Sequence, residues 1–228
     1  MQEYKYIFVL MACEKEAYKE RFEFVKNDTL VKLKQHNDVL PLIVVGREDC
    51  VESHIEGDLL VLPVKEDHYN LPIKMELMFK FIYNNFKFKR LFKLDDDVSL
   101  NNYENFVKCF SIADICGNRV DNSYSNYRQY FIDTNKSQYL DELDKSKVDK
   151  NVQCFLGTRW GISYYVIKKL NQNFFEKDHH LTDYFPLIED VDVSYAISHY
   201  VKDVSYAFYK WNDKIGAERY TNKVVKNS

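Results

Sequence analysis

Three consecutive carboxylates, Asp95, Asp96 and Asp97, close the short apolar run Arg90-Leu91-Phe92-Lys93-Leu94. Adjacent acids repel one another, so the triplet calls for a positive partner. Carboxylate oxygens suit hard cations such as Mn²⁺ or Mg²⁺, which take one or two carboxylates plus substrate phosphates in preference to a full protein cage. Asp97 and Asp95 are the candidate metal ligands. The plain alternative is a solvated acidic turn with no ligand at all.

A second acidic pair, Glu189-Asp190, stands just before Val193, Ala196, Ile197, Tyr200 and Val201, whose spacing predicts a helix. At a helix N-terminus the macrodipole favours the ionised form, and an ionised carboxylate can accept a proton at neutral pH. First-turn acids also serve simply as helix caps. Between the two acidic groups, the stretch Gln153 to Leu170 places Gly157, Trp160 and Gly161 ahead of an apolar run. Glycines allow close backbone approach and an indole offers a flat face, so this is a candidate wall for a sugar ring, or else a core tryptophan beside a turn. His179-His180 with Asp183 lies in a polar loop lacking further ligands at metal-binding spacing.

These groups need elements to hold them. Arg90 to Leu94 reads as a core strand, and open α/β sheets bind ligands outside the carboxyl ends of their strands. Tyr4 to Cys13, Val39 to Gly46 and Asp58 to Val64 are further strands, and Glu16 to His36 is helical in character. Leu71, Met75, Met78, Ile82 and Phe86 recur every three or four residues, which predicts an amphipathic helix over Asn70 to Phe86. A β-α-β-β-α-β order favours an α/β domain with a mostly parallel central sheet flanked by helices. Asn101 to Phe110 is expected as a short helix, Ala113 to Cys116 as a strand, and Gln153 to Leu170 as a strand turning into a helix. The polar stretch 118–151 is expected to be a lid or substrate-side loop, and 210–228 a tail.

Composition narrows the function classes. The 228 residues are expected to form one domain, and 46% hydrophobic content supplies its core. A net charge of −3 gives no field to attract nucleic acid or an anionic membrane. No apolar run reaches the ~18–20 residues needed to span a bilayer, and the start lacks the basic opening of a signal peptide, so a cytoplasmic protein is expected. Five cysteines without CxxC spacing, Cys13, Cys50, Cys109, Cys116 and Cys154, argue against a disulfide framework and a structural zinc site.

Taken in order, these pieces resemble the β-1,3-glycosyltransferase family of galactosyl-, N-acetylglucosaminyl- and fringe-type enzymes with the GT-A fold. The matching residues are Lys93-Leu94-Asp95-Asp96-Asp97-Val98-Ser99, then Gly161-Ile162-Ser163-Tyr164-Tyr165-Val166, then Glu189-Asp190-Val191-Asp192-Val193-Ser194. Upstream, Asp67, Tyr69, Asn70, Leu71 and Lys74 are similar to a further family segment with a one-residue slip. The arginine-rich segment after the first strand survives loosely around Arg21 and Lys26, and Ser194 replaces a glycine. The family's later metal-ligating histidine has no well-spaced counterpart, since His199 follows Asp190 by only nine residues and Asp213 would have to substitute.

The resemblance implies a nucleotide-binding α/β domain and a metal-dependent, inverting transfer from a UDP-sugar to a hydroxyl of a glycan acceptor. Asp190, with Glu189 second, would be the catalytic base. Asp97 and Asp95 would hold Mn²⁺ or Mg²⁺. Asp96, Arg21, Asp67 and Lys74 would face the donor, and Trp160, Gly161 and Tyr164 the acceptor or sugar. Two competing readings are a non-catalytic nucleotide-sugar or glycan-binding protein on a transferase fold and a metal-dependent nucleotidyltransferase. The second lacks a Gly-Ser phosphate turn before the acids.

Overall fold

The Val-, Ile- and Leu-rich runs form the centre of one eight-stranded sheet in the computed structural model, which describes residues 2–118, 157–183, 189–209 and 215–219, with isolated helical positions at 129, 132 and 140. In chain order the elements are β1 (Gln2–Glu3), β2 (Tyr6–Met11), α1 (Lys19–Phe24), α2 (Leu30–Leu33), β3 (Val39–Gly46), β4 (His54–Glu56) and β5 (Leu59–Leu62). There follow α3 (Leu71–Asn85), β6 (Phe86–Lys87), β7 (Arg90–Asp95), β8 (Val98–Leu100), α4 (Tyr103–Cys109) and β9 (Ile115–Asn118). After the undescribed stretch come β10 (Arg159–Ser163), α5 (Tyr164–Asn173), α6 (Glu189–Tyr200), β11 (Tyr206–Tyr209) and β12 (Ala217–Arg219). The spatial order is β11-β9-β10-β7-β2-β3-β5-β4. The centre β7-β2-β3-β5 is parallel, β10 is antiparallel to both its neighbours, and β4 is antiparallel to β5. The chain is thus an α/β fold with a parallel-rich central sheet, as the element order predicts.

Alternating side chains on the sheet feed two separate cores. On one face Ile7, Val9, Leu42, Leu91 and Trp160 pack under α3, α5 and α6. On the other Phe8, Leu10, Ile43, Phe92 and Leu94 pack under α1, α2 and α4. Helix α3 is set by Pro72 in its first turn and by Met75, Met78, Phe79 and Ile82, all buried on one stripe. The helix expected over Glu16 to His36 forms as one helical run with a π turn, Val25–Thr29, between α1 and α2.

The path of the chain creates a switch point. From β2 it steps to β3 and then β5 on one side, and after α3 it returns to the opposite side of β2 as β7. The carboxyl ends of β2 and β7 are therefore the place where connections diverge to opposite sides, the usual ligand position in open α/β sheets. Strands β1, β4, β6, β8, β11 and β12, each of two to four residues, are absent from the sequence-based expectation, since so short a segment gives little periodicity to read. Apart from Asn118, which ends β9, and the isolated helical positions 129, 132 and 140, the expected lid lies outside the described residues. Within the expected tail, Ala217–Arg219 folds back as a strand antiparallel to Val98–Leu100, immediately after the acid triplet.

Gly161 sits at the tightest point of the sheet face. A Cβ there would meet the Phe110 carbonyl oxygen at 2.6 Å and the Phe92 ring at 2.8 Å. We expect Gly161→Ala to destabilise the protein by about 1–3 kcal/mol through overpacking. A lowered urea midpoint with an unchanged slope would confirm it, and an unchanged midpoint would refute the close approach.

Candidate active site

Strand β7 carries the first acids into the crevice. Because strand side chains alternate, Lys93 and Asp95 share the face that also holds Leu91, while Leu94 points to the other. Asp95 ends the strand, and Asp96 and Asp97 form the turn into β8. The antiparallel neighbour β10 matches Arg159 to Leu94, and the Asp95 N–H donates to the Thr158 carbonyl at 2.9 Å. The residues just before β10 therefore lie beside the triplet. Helix α6 opens at the same place with Glu189 and Asp190 in its first turn.

What joins these pieces is Lys93, whose ammonium is buried at 0% exposure. Its Nζ lies 2.8 Å from Asp95 Oδ1, 3.4 Å from Glu189 Oε1 and 3.6 Å from Asp190 Oδ1. It also donates to the Gly157 carbonyl at 3.3 Å. Gly157, at φ 127°, takes a backbone conformation that favours glycine. One ammonium thus faces three carboxylates, so the described cluster is acidic in balance.

Burial dominates the titration of these groups. It pushes the Asp95 carboxyl up to about 8, against the pull of Lys93 and with the repulsion of Asp190 and Glu189 added. Asp190 is pushed up to about 6, again chiefly by burial, with Lys93 opposing and Glu189 reinforcing. For Lys93 burial acts downward, yet the three acids together hold its ammonium well above the usual lysine range. Burial also raises Asp96, opposed by Arg21, whose Nη1 lies 3.4 Å from Asp96 Oδ1.

The remaining donor-side candidates sit at the carboxyl ends of the neighbouring strands. Lys74 is buried and donates to the Ala12 carbonyl at 2.7 Å and to Glu66 Oε1 at 2.5 Å. It closes the end of β2 and adds positive charge on the Asp96 side. Asp67 caps the turn before α3, accepting from Asn70 N at 3.0 Å and Asn70 Nδ2 at 2.8 Å.

Three expectations for the acceptor side are corrected. Trp160 has 0% exposure and packs against Phe79 with ring centroids 6.0 Å apart, so it is core and offers no face to a sugar. Gly161 accommodates Phe92 and Phe110. Tyr164 begins α5 after Ser163, which pairs with Arg90, so it sits at the opposite end of β7 from the acids, against Tyr83 and Phe88. The physical reason is the antiparallel course of β10: the motif after its start runs away from the crevice, and only residues 157–159 remain near it. Motif reading gives Gly157 only a share in a sugar wall and gives Lys93 no role beyond its place in the matching segment. A lysine two residues before the first acid, inside an apolar strand, is the signal that could have found the second.

Among the described residues, no three His, Cys, Asp or Glu side chains converge to cage a metal by themselves. Asp97 and Asp95 carry carboxylate oxygens of the type that suits a hard divalent cation, and Asp95 Oδ1 is already met by the Lys93 ammonium at 2.8 Å. His199 lies in the last turn of α6, nine residues and about 14 Å along the helix from Asp190. His180 bonds Glu76 Oε1 at 2.9 Å, tying its loop to α3. Cys13, Cys50, Cys109 and Cys116 are free thiols, and no described helix is long and apolar enough to cross a membrane.

No protein-family model and no curated protein matches the chain. Among solved structures it is similar to the galactosyltransferase LgtC in complex with donor and acceptor sugar analogs, at 11% identity and a TM-score of 0.49, over 95% of this chain and 87% of that one. It is also similar to 2-C-methyl-D-erythritol 4-phosphate cytidylyltransferase from Thermus thermophilus, at 10% identity and a TM-score of 0.43, over 98% and 94% of the two chains. Both scores are too low for either likeness to decide chemistry, which leaves the site's own residues to do so.

Because Trp160 is a core residue, Trp160→Ala is expected to lower stability by about 3–5 kcal/mol. Chemical denaturation measures this. A loss under about 1 kcal/mol would return Trp160 to the surface of the site.

Proposed function

We propose that this chain is a glycosyltransferase that moves a sugar from a nucleotide-sugar, UDP-linked by the resemblance of its motifs, to a hydroxyl of a glycan acceptor. The observation that carries the reading is the meeting of Asp95 to Asp97 and Glu189-Asp190 at the switch point, where one buried ammonium leaves the cluster acidic in balance. A nucleoside diphosphate would be repelled by such a site alone and attracted to it with a divalent cation bound.

Glycosyl transfer needs charge management at two points. A divalent cation, when bound, supplies Lewis-acid stabilisation of the departing diphosphate. Asp97 and Asp95 would hold it, and Arg21, beside Asp96, brings a guanidinium to the rim where phosphate oxygens would lie. On the other side, Asp190 would take the proton of the attacking hydroxyl. Burial pushes its carboxyl up to about 6, while its place in the first turn of α6 and the Lys93 ammonium 3.6 Å away favour the carboxylate form that a base requires. One base facing one leaving group gives single displacement with inversion at the anomeric carbon. Among transferases, the order of the Lys93–Ser99, Gly161–Val166 and Glu189–Ser194 segments favours the β-1,3 type.

Calorimetry of UDP binding with and without Mn²⁺ tests the donor half. Binding should need the metal and should disappear in Asp97→Ala; equal affinity in chelator would overturn the metal assignment. For the base, Asp190→Asn should lower kcat by at least ~10²-fold with little change in UDP affinity. An active Asn variant beside a dead Glu189→Gln would transfer the role to Glu189.

A further inference from the structure

We infer that Lys93 is a positioning residue, a resident cation that fixes the base helix against the acid strand, and this inference rests on the transferase reading of the same site. Its ammonium touches groups from three separate segments: Asp95 at the end of β7, Gly157 in the lead into β10, and Glu189 and Asp190 at the start of α6. These bonds bridge α6 to β7 directly, and so they set the separation between the acids on the donor side and the proposed base.

Stability alone does not account for a lysine here. Its strand neighbours on this face, Leu91 and the cross-strand partner Trp160, are fully buried and apolar. Apolar side chains in place of the whole cluster, lysine and acids together, would fill the same space without the cost of desolvating an ammonium and three carboxylates, and such replacements are often neutral or stabilising, whereas Lys93→Met alone leaves the acids without their cation. The distances also separate the partners. Asp95 is bonded at 2.8 Å, whereas Glu189 and Asp190 are held at 3.4 and 3.6 Å. The strand acid is the anchor, and the helix acids are aimed by the ammonium while keeping oxygen capacity for another partner. The same ammonium also grips the Gly157 carbonyl, so the lead into β10 is tied to this point as well.

Arginine in place of Lys93 separates aim from charge. It keeps the positive charge but has a longer, planar fork that cannot gather three carboxylates around one point in a slot closed by Trp160. Lys93→Arg and Lys93→Met are to be measured for thermal midpoint, for calorimetric affinity to UDP with Mn²⁺, and for KM and kcat of sugar transfer. The expected result is a folded Lys93→Arg protein whose UDP affinity stays within about threefold while kcat falls by ~10²-fold, the scale of a misplacement of about 1 Å. Lys93→Met, where it folds, should show the same split. A Lys93→Arg enzyme with wild-type kcat would reduce Lys93 to charge balance and overturn the inference. So would a parallel loss of UDP affinity, which would make it a donor-binding group, or failure of both variants to fold. A wild-type protein inert toward nucleotide-sugars would overturn the transferase reading and this role with it, whereas an active wild type matched by Lys93→Arg would overturn this role alone.

Discussion

An ammonium enclosed in the middle of a sheet needs oxygen partners, anions above all, and Lys93 is enclosed completely. Its partners cannot all come from its own strand, because alternation leaves only Asp95, two residues on, facing the same way. The other two come from α6, which the chain reaches almost a hundred residues later. Satisfying one buried charge therefore demands a particular tertiary arrangement: β10 against β7 to bring up Gly157, and α6 directed with its N-terminus at the same point. The convergence of the acids follows from the requirements of this one side chain.

The opposite end of β7 provides a contrast. Arg90 is also buried, but its guanidinium is spent on carbonyls, donating to Phe110 O at 2.7 Å and to Ala113 O near the end of α4. Burial lowers its pKa, and no carboxylate bonds it directly among the contacts described. One strand thus carries two buried cations with different duties. The amino-terminal one ties off helix and loop carbonyls, and the carboxyl-terminal one gathers acids. This polarity is what an open α/β sheet asks for, with structure secured at one end of the strands and ligand groups exposed at the other.

Charge around the crevice is graded as well. Arg21 neutralises Asp96 at the rim, Lys74 and Glu66 form a buried pair at the end of β2, and Lys93 stands deepest. Each acid of the triplet consequently has a different environment despite the identical side chain. Asp95 is tied to an internal ammonium, Asp96 to a rim guanidinium, and Asp97 is buried in the turn before β8, where β12 pairs across the following residues.

Local pattern determined much of this. The strands Val39–Gly46 and Arg90–Asp95 and the helix Leu71–Asn85 are written in runs of apolar residues with clear periods, and the acids at one strand end and one helix start mark a candidate site at the carboxyl end of a central strand. Those features depend only on residues near one another in sequence. Tertiary structure decided the rest. Whether Trp160 and Tyr164 face a ligand depends on the direction in which β10 runs beside β7, and an antiparallel pairing carries Tyr164 away from the acids while burying Trp160. Whether Lys93 is a solvated strand residue or the hub of the site depends on an α6 contact that no local spacing encodes. Pairing direction and long-range charge contact are properties of the folded whole, because they arise from which surfaces meet and not from the order of residues within any one of them.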